Sequence, residues 1–149
     1  MHKSYYSIFV IIILLFIIEG GCAPKSSPGL GDDLGSTCIQ GTVTYRNPID
    51  GSLVPYPSAT VSAWKKDAEK ALSEALTNQR GNYCIEVPVG DFRMELRVWG
   101  MVRLEGTNYI CQGTKSNFDP GNTILSCGEG CEVVDIETAC RERVPGRRR

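Results

Sequence analysis

The sequence predicts an all-β domain, an antiparallel β-sandwich of about seven strands, and three observations carry that expectation. In DFRMELRVW, Phe92, Met94, Leu96 and Val98 alternate with Arg93, Glu95 and Arg97, the period of two of a strand with one buried face. NYCIEVP repeats the alternation, with Tyr83, Ile85 and Val87 on one side and Cys84 and Glu86 on the other. Turn signals recur along the chain about every 8–12 residues, as they do in sandwiches.

Each segment has its own justification. IQGTVTY offers Ile39, Gly41, Val43 and Tyr45 to one face. The loop RNPIDGSLVPYPS comes next, and its three prolines exclude a central strand there. ATVSAW places Val61 and Ala63 inward and Trp64 outward. In KKDAEKALSEALT, Ala68, Ala71, Leu72, Ala75 and Leu76 fit helical spacing, but Leu72, Glu74 and Leu76 also fit a strand. A strand running into the turn at Gly81 completes a meander, so strand is the reading for residues 66–76. PVGD, with Gly90, joins NYCIEVP to DFRMELRVW as a hairpin. MVRLEG and CEVVDIET each supply a further strand, with Val133 and Val134 interrupting alternation in the second.

Upstream of the domain, residues 8–18 form an apolar run of 11. That is short of the roughly 20 residues needed to span a bilayer and suits the core of an export signal. The chain has seven cysteines, and an odd number is awkward where thiols pair. Setting Cys22 aside leaves Cys38, Cys84, Cys111, Cys127, Cys131 and Cys140 for three disulfides. IIEGGC resembles the lipobox of bacterial lipoproteins, in which the cysteine after two small residues, here Gly20 and Gly21, is lipidated and becomes the mature N-terminus. The resemblance implies residues 1–21 as signal peptide, Cys22 as membrane anchor, and an address at the outer membrane or cell surface rather than the inner membrane. Residues 23–37, rich in Pro, Gly and Ser, read as a flexible tether. The domain spans residues 38–140, and the arginine-rich residues 141–149 read as a disordered basic tail.

From Ile39 to Gly100 the chain resembles the carboxypeptidase regulatory-like domain, a transthyretin-like (prealbumin-like) β-sandwich. Gly41 and Val43 match its opening Gly-x-Val; Pro57, Ala59 and Val61 match Pro-x-Ala-x-Val. Thr77, Gly81 and Tyr83 match the next strand, Pro88, Gly90 and Phe92 its hairpin, and Gly100 its close. Ser58 stands where that family usually has glycine. The resemblance implies the fold and an accessory, non-catalytic role beside peptidases, transporters or adhesins.

The only histidine, His2, lies in the expected signal, so neither a Ser-His-Asp nor a Cys-His system can be assembled in the domain. The spacing of Cys127 and Cys131 is that of half a zinc site, but disulfides are the reading in an exported chain, with no metal or cofactor. Six cysteines allow 15 pairings; Cys38 with Cys84 is the expected bridge, the other four pairing among themselves. Asp32 and Asp33 lie in the tether; Asn117, Asp119 and Asn122 lack the spacing of an EF-hand loop. A pocket gathering carboxylates, or Lys65, Lys66 and Lys70, would reopen the case for an enzyme. A formal charge of −1 gives no argument for nucleic acid. What remains is binding. Trp64 and Trp99 face outward by parity, with Arg93 and Arg97 beside them, as a platform for an envelope protein or polysaccharide. The alternative is that the cysteine-rich segment folds over both rings.

Overall fold

The computed structural model describes residues 35–90, 93–120, 123, 125, 127, 128 and 130–144. Among them run nine strands and no helix: β1 (Ser36–Arg46), β2 (Leu53–Pro55), β3 (Thr60–Lys65), β4 (Ser73–Leu76), β5 (Asn82–Pro88), β6 (Met94–Leu104), β7 (Thr107–Phe118), β8 (Glu132–Val133) and β9 (Ile136–Glu142). They form one curled sheet in the order β2-β1-β9-β7-β6-β3-β4, with β5 and β8 also pairing to β1. Strand β9 is the corner. Its residues 136–138 lie parallel to residues 43–45, and its residues 139–142 lie antiparallel to residues 109–112. The sheet thereby folds into two layers, β1, β2 and β5 facing β3, β4, β6 and β7.

The fold is all-β and sandwich-like, but the sheet is mixed: β1 pairs with β8 and β9 in parallel. The physical reason is the path of the chain after β7. It crosses to the start of β1, where the Leu125 N–H donates to the Ser36 carbonyl at 3.0 Å, so β8 and β9 then run alongside β1 in the same direction. Val134 and Asp135 are the break between β8 and β9. There the Val134 N–H bonds to the Gln40 carbonyl at 2.8 Å, and the Thr42 N–H donates to Asp135 Oδ1 at 2.8 Å.

Strands β5 and β6 do not form the expected hairpin. β5 pairs with β1, and β6 with β3 and β7, so the two strands lie in different layers. Alternation says which face of a strand is buried; it does not say which strand lies next to it. Nor does Gly100 end a strand, because β6 continues to Leu104. Its hairpin partner is β7, through a two-residue turn in which Glu105 and Gly106 have φ of 48° and 84°, the left-handed pair whose twist matches flanking strands. Residues 66–76 do end in strand β4, while residues 66–72 form turns and bends. β1 starts two residues ahead of Cys38 and β9 reaches Glu142, so both domain edges lie slightly outside 38–140. Ser58 has φ of 56°, the left-handed backbone that suits the glycine usual there in the family the sequence resembles. Cys22, Asp32, Asp33, Phe92, Asn122 and residues 145–149 fall outside the described residues.

Three disulfides form: Cys38–Cys131, Cys84–Cys127 and Cys111–Cys140. The expected Cys38–Cys84 bridge is not among them. In the β1–β5 register Cys38 faces Glu86 and Cys84 faces Gln40, so the two cysteines are diagonal rather than opposite. Each instead reaches the segment laid over the outer side of that layer, where Cys38, Cys84 and Cys131 cluster with Leu125 and Cys127. Cys111 and Cys140 are directly opposite on β7 and β9 and staple the corner. Three bridges fit an exported or extracellular protein.

The core lies between the layers and uses the residues that alternation selects. Ile39, Val43 and Tyr45 meet Tyr83, Ile85 and Val87 on one side, and Val61, Ala63, Met94, Leu96 and Val98 on the other. Two buried tyrosines behave differently. The Tyr83 hydroxyl donates to the Val134 carbonyl at 2.6 Å, whereas the Tyr56 hydroxyl, above Gly100, finds no partner among the described residues. Burial pushes both phenols up, Tyr56 from 10.0 to about 12. A phenol whose folded pKa is raised contributes stability that is complete below its unfolded pKa and is lost as pH rises through the folded one. Urea stability should therefore be level up to about pH 10 and fall between about pH 10 and 12. Tyr56→Phe should flatten part of that fall and add about 1 kcal/mol at neutral pH, since it removes an unpaired buried hydroxyl. An unchanged alkaline slope, or a loss at neutral pH, would contradict this assignment.

Candidate functional site

Residues directly opposite on paired strands share a face of the sheet. Thr60 lies opposite Trp99, Ser62 opposite Arg97 and Trp64 opposite Glu95, so both tryptophans leave the outer side of the β3–β6 pair, as parity predicts. Neighbouring strands extend these rows: Leu76 is opposite Thr60, Gln112 opposite Trp99, and Ile110 opposite Met101.

The two rings do not make one platform. Across the pair Trp64 is four residues out of register with Trp99, and Arg97 stands between them. The Arg97 guanidinium lies 4.3 Å from the centroid of the Trp64 ring, a cation–π contact. Trp64 Nε1 donates to Ser62 Oγ at 2.8 Å, and that hydroxyl donates to the Arg97 carbonyl at 3.2 Å. Arg97 Nε is paired with Glu95 Oε1, and Glu95 Oε2 accepts from Ser116 Oγ at 3.2 Å. One ring face and the indole N–H are thus already engaged. Trp64 is a structural group in a polar network, which corrects its place in the expected platform.

Trp99 is 56% exposed, beside Met101 at 55% and in one row with Leu76 at 63%. The described residues of the cysteine-rich segment do not cover it: Leu125, Cys127 and Cys131 pack on the outer side of β1 and β5. Arginines stand around this apolar centre. The guanidinium of Arg143 is 3.5 Å from Met101 Sδ, and that of Arg141 is 3.5 Å from Gln112 Oε1. Arg103, on the same side of β6, is exposed. Arg93 is elsewhere: at the mouth of β6 its Nη1 donates to the Asn117 carbonyl at 3.3 Å. Sequence reasoning missed Met101, Ile110 and Leu76. Met101 has the parity of Trp99, a signal lost by ending the strand at Gly100.

Arg93 instead lines a cleft of about 350 Å³ with Lys65, Lys66, Asp67, Glu95 and Arg97. Asn117 completes it as the extra residue of a β-bulge, with φ of 66°. Lys70 is not part of the lining. Of the two carboxylates there, Glu95 is taken by Arg97, so the cleft offers cations to an anion rather than an acid–base pair. Among the described residues no three His, Cys, Asp or Glu side chains converge as a metal site would require. Comparison with known protein families, curated proteins and solved structures finds no match for the chain.

Proposed function

We propose that the chain is an exported, lipid-anchored domain of a bacterial cell envelope that binds a partner without catalysis. The observation that carries the binding half is the uncovered Trp99 at 56% exposure, among Met101, Leu76 and arginines on an open sheet face. Tryptophan, methionine and arginine are the residues enriched where proteins meet, so an envelope protein is the first partner. An exposed indole beside Gln112 also favours a second reading, a saccharide ring stacked on Trp99. The resemblance to carboxypeptidase regulatory-like domains supports an accessory role, and the lack of histidine beyond His2 supports one without catalysis.

The anchor half rests on the apolar run at residues 8–18, the small pair Gly20 and Gly21, and the odd cysteine Cys22. Lipid chains on Cys22 would hold the protein at the outer membrane or cell surface, since each buried methylene adds about 0.8 kcal/mol. Intact mass of the native protein should show a modified Cys22 as first residue, and Cys22→Ser should abolish both lipid incorporation and partition into detergent. An unmodified Cys22 or a retained Met1 would contradict the anchor.

A further inference from the structure

Two arginines of the last strand and its exit reach toward Trp99. Opposite residues across the paired strands give three neighbouring rows on the outer side of the sheet. The first holds Leu76, Thr60, Trp99, Gln112 and Ala139; the second Met101, Ile110 and Arg141; the third Arg103 and Asn108. Arg143 extends the third row, where its N–H donates to the Asn108 carbonyl at 2.8 Å. Both guanidiniums bend across β7. That of Arg141 meets Gln112, directly opposite Trp99, and that of Arg143 meets Met101, two residues along β6. These rows hold three arginines and no carboxylate. Glu74 stands one row away, level with Arg97, and Glu95 is bound to Arg97. Glu142 lies opposite Tyr109 and leaves the other side of β9, while Glu105 occupies the hairpin turn. Among the described residues none of Arg103, Arg141 and Arg143 is ion-paired with a carboxylate.

We infer that the Trp99 face takes an acidic polysaccharide, the indole stacking on the C–H face of a uronate ring while Arg141 and Arg143 bind carboxylates. The inference rests on the reading of that face as a binding face and narrows its partner to the saccharide. An indole matches one sugar ring in size, and Thr60 and Gln112, on either side of Trp99 in its row, carry groups that bond hydroxyls. A guanidinium fork matches a carboxylate through two parallel hydrogen bonds, and one with no carboxylate on its own chain has that fork open. A chain of uronates brings a carboxylate with every ring, which suits two guanidiniums set against two different neighbours of one indole. A protein partner favours an apolar centre with charge kept to the rim. Here the centre is Trp99 and Met101, and a guanidinium already lies against Met101.

The test is calorimetric titration of the full chain in detergent micelles with oligomers of galacturonate and of mannuronate, their methyl esters, and oligoglutamate of equal charge. A uronate oligomer should bind, and its methyl ester, the same ring without the charge, should bind at least about tenfold more weakly. Oligoglutamate, the charge without the ring, should be weaker by as much. Affinity for the uronate should fall with added salt. Trp99→Ala and the double variant Arg141→Gln, Arg143→Gln should each weaken it at least about tenfold. The urea midpoint of the double variant should stay that of the native chain, because both arginines are exposed. Methyl esters that bind as well as the acids, with Trp99→Ala losing both, overturn the inference and leave the face a site for neutral sugar. Equal binding of oligoglutamate reduces the contact to charge alone and overturns it too. With no oligomer bound the inference falls, and envelope protein retained by the native chain but not by Trp99→Ala leaves the face a binding face for protein. Neither oligomer bound nor protein retained overturns both.

Discussion

Replacing Cys38 and Cys131 together by alanine should lower stability by about 4–5 kcal/mol, more than removing Cys111 with Cys140, which should cost about 3–4 kcal/mol. The bridges close loops of different length, 93 residues for Cys38–Cys131 and 29 for Cys111–Cys140. A longer closed loop removes more freedom from the unfolded chain. Packing acts in the same direction. Cys38 is 1% exposed and joins Cys84 and Cys131 beneath the crossing segment, so its loss also loosens that segment from β1. β9 comes directly after it and closes the sheet, so the damage should propagate to the corner. Urea unfolding of the two double variants, each fitted with its own m-value because the uncrosslinked chain unfolds further, tests the ranking. Equal losses, or a larger loss for the short loop, would contradict the assigned pairing.

Gly41→Ala should be comparably severe, at about 3 kcal/mol, despite adding only one carbon. A Cβ on Gly41 would lie 2.1 Å from the Val134 carbonyl oxygen and 2.6 Å from its carbon, both backbone atoms that cannot rotate away. The same carbonyl accepts the Tyr83 hydroxyl at 2.6 Å, and the adjoining N–H bonds to Gln40 at 2.8 Å. Relief of the clash therefore breaks the site at which the returning chain crosses β1. Gly51→Ala is the control: its φ of 75° strains alanine, but no atom lies within 4 Å, so it should cost about 1 kcal/mol. A Gly41→Ala loss no greater than the control's would show that β1 and residue 134 do not approach this closely.

Much of the fold is legible because half-buried strands advertise themselves. The inward residues of β1, β3, β5 and β6 follow from parity alone, as does the outward direction of Trp64 and Trp99. Strand β7 escapes because most of its side chains beyond Cys111 are polar and exposed, and Gly113 interrupts any alternation. The β5–β6 pairing fails because a glycine turn marks a reversal whether the chain stays in its layer or changes layers. Arg141 and Glu142 read as tail by charge, yet Ile136, Thr138 and Cys140 already carry the alternation of β9. The disulfides join points 93, 43 and 29 residues apart, and no local pattern encodes such partners. The site is half legible for the same reason. Parity gives the face of each tryptophan, but register, which depends on the partner strand, decides that Arg97 closes over Trp64 and leaves Trp99 open.

The central claim, that the Trp99 face binds and does not hold the fold together, is tested by measuring stability and binding on the same variants. Trp99→Ala should change urea stability by less than about 1 kcal/mol, because the ring is exposed. It should also weaken retention of envelope protein or polysaccharide by at least about 2 kcal/mol, roughly 30-fold. Trp64→Ala should do the reverse, costing about 2 kcal/mol of stability through its lost cation–π contact and hydrogen bond. Its effect on binding should be small. A Trp99→Ala protein destabilised by about 3 kcal/mol or more, with nothing retained by the native chain to begin with, would contradict the account.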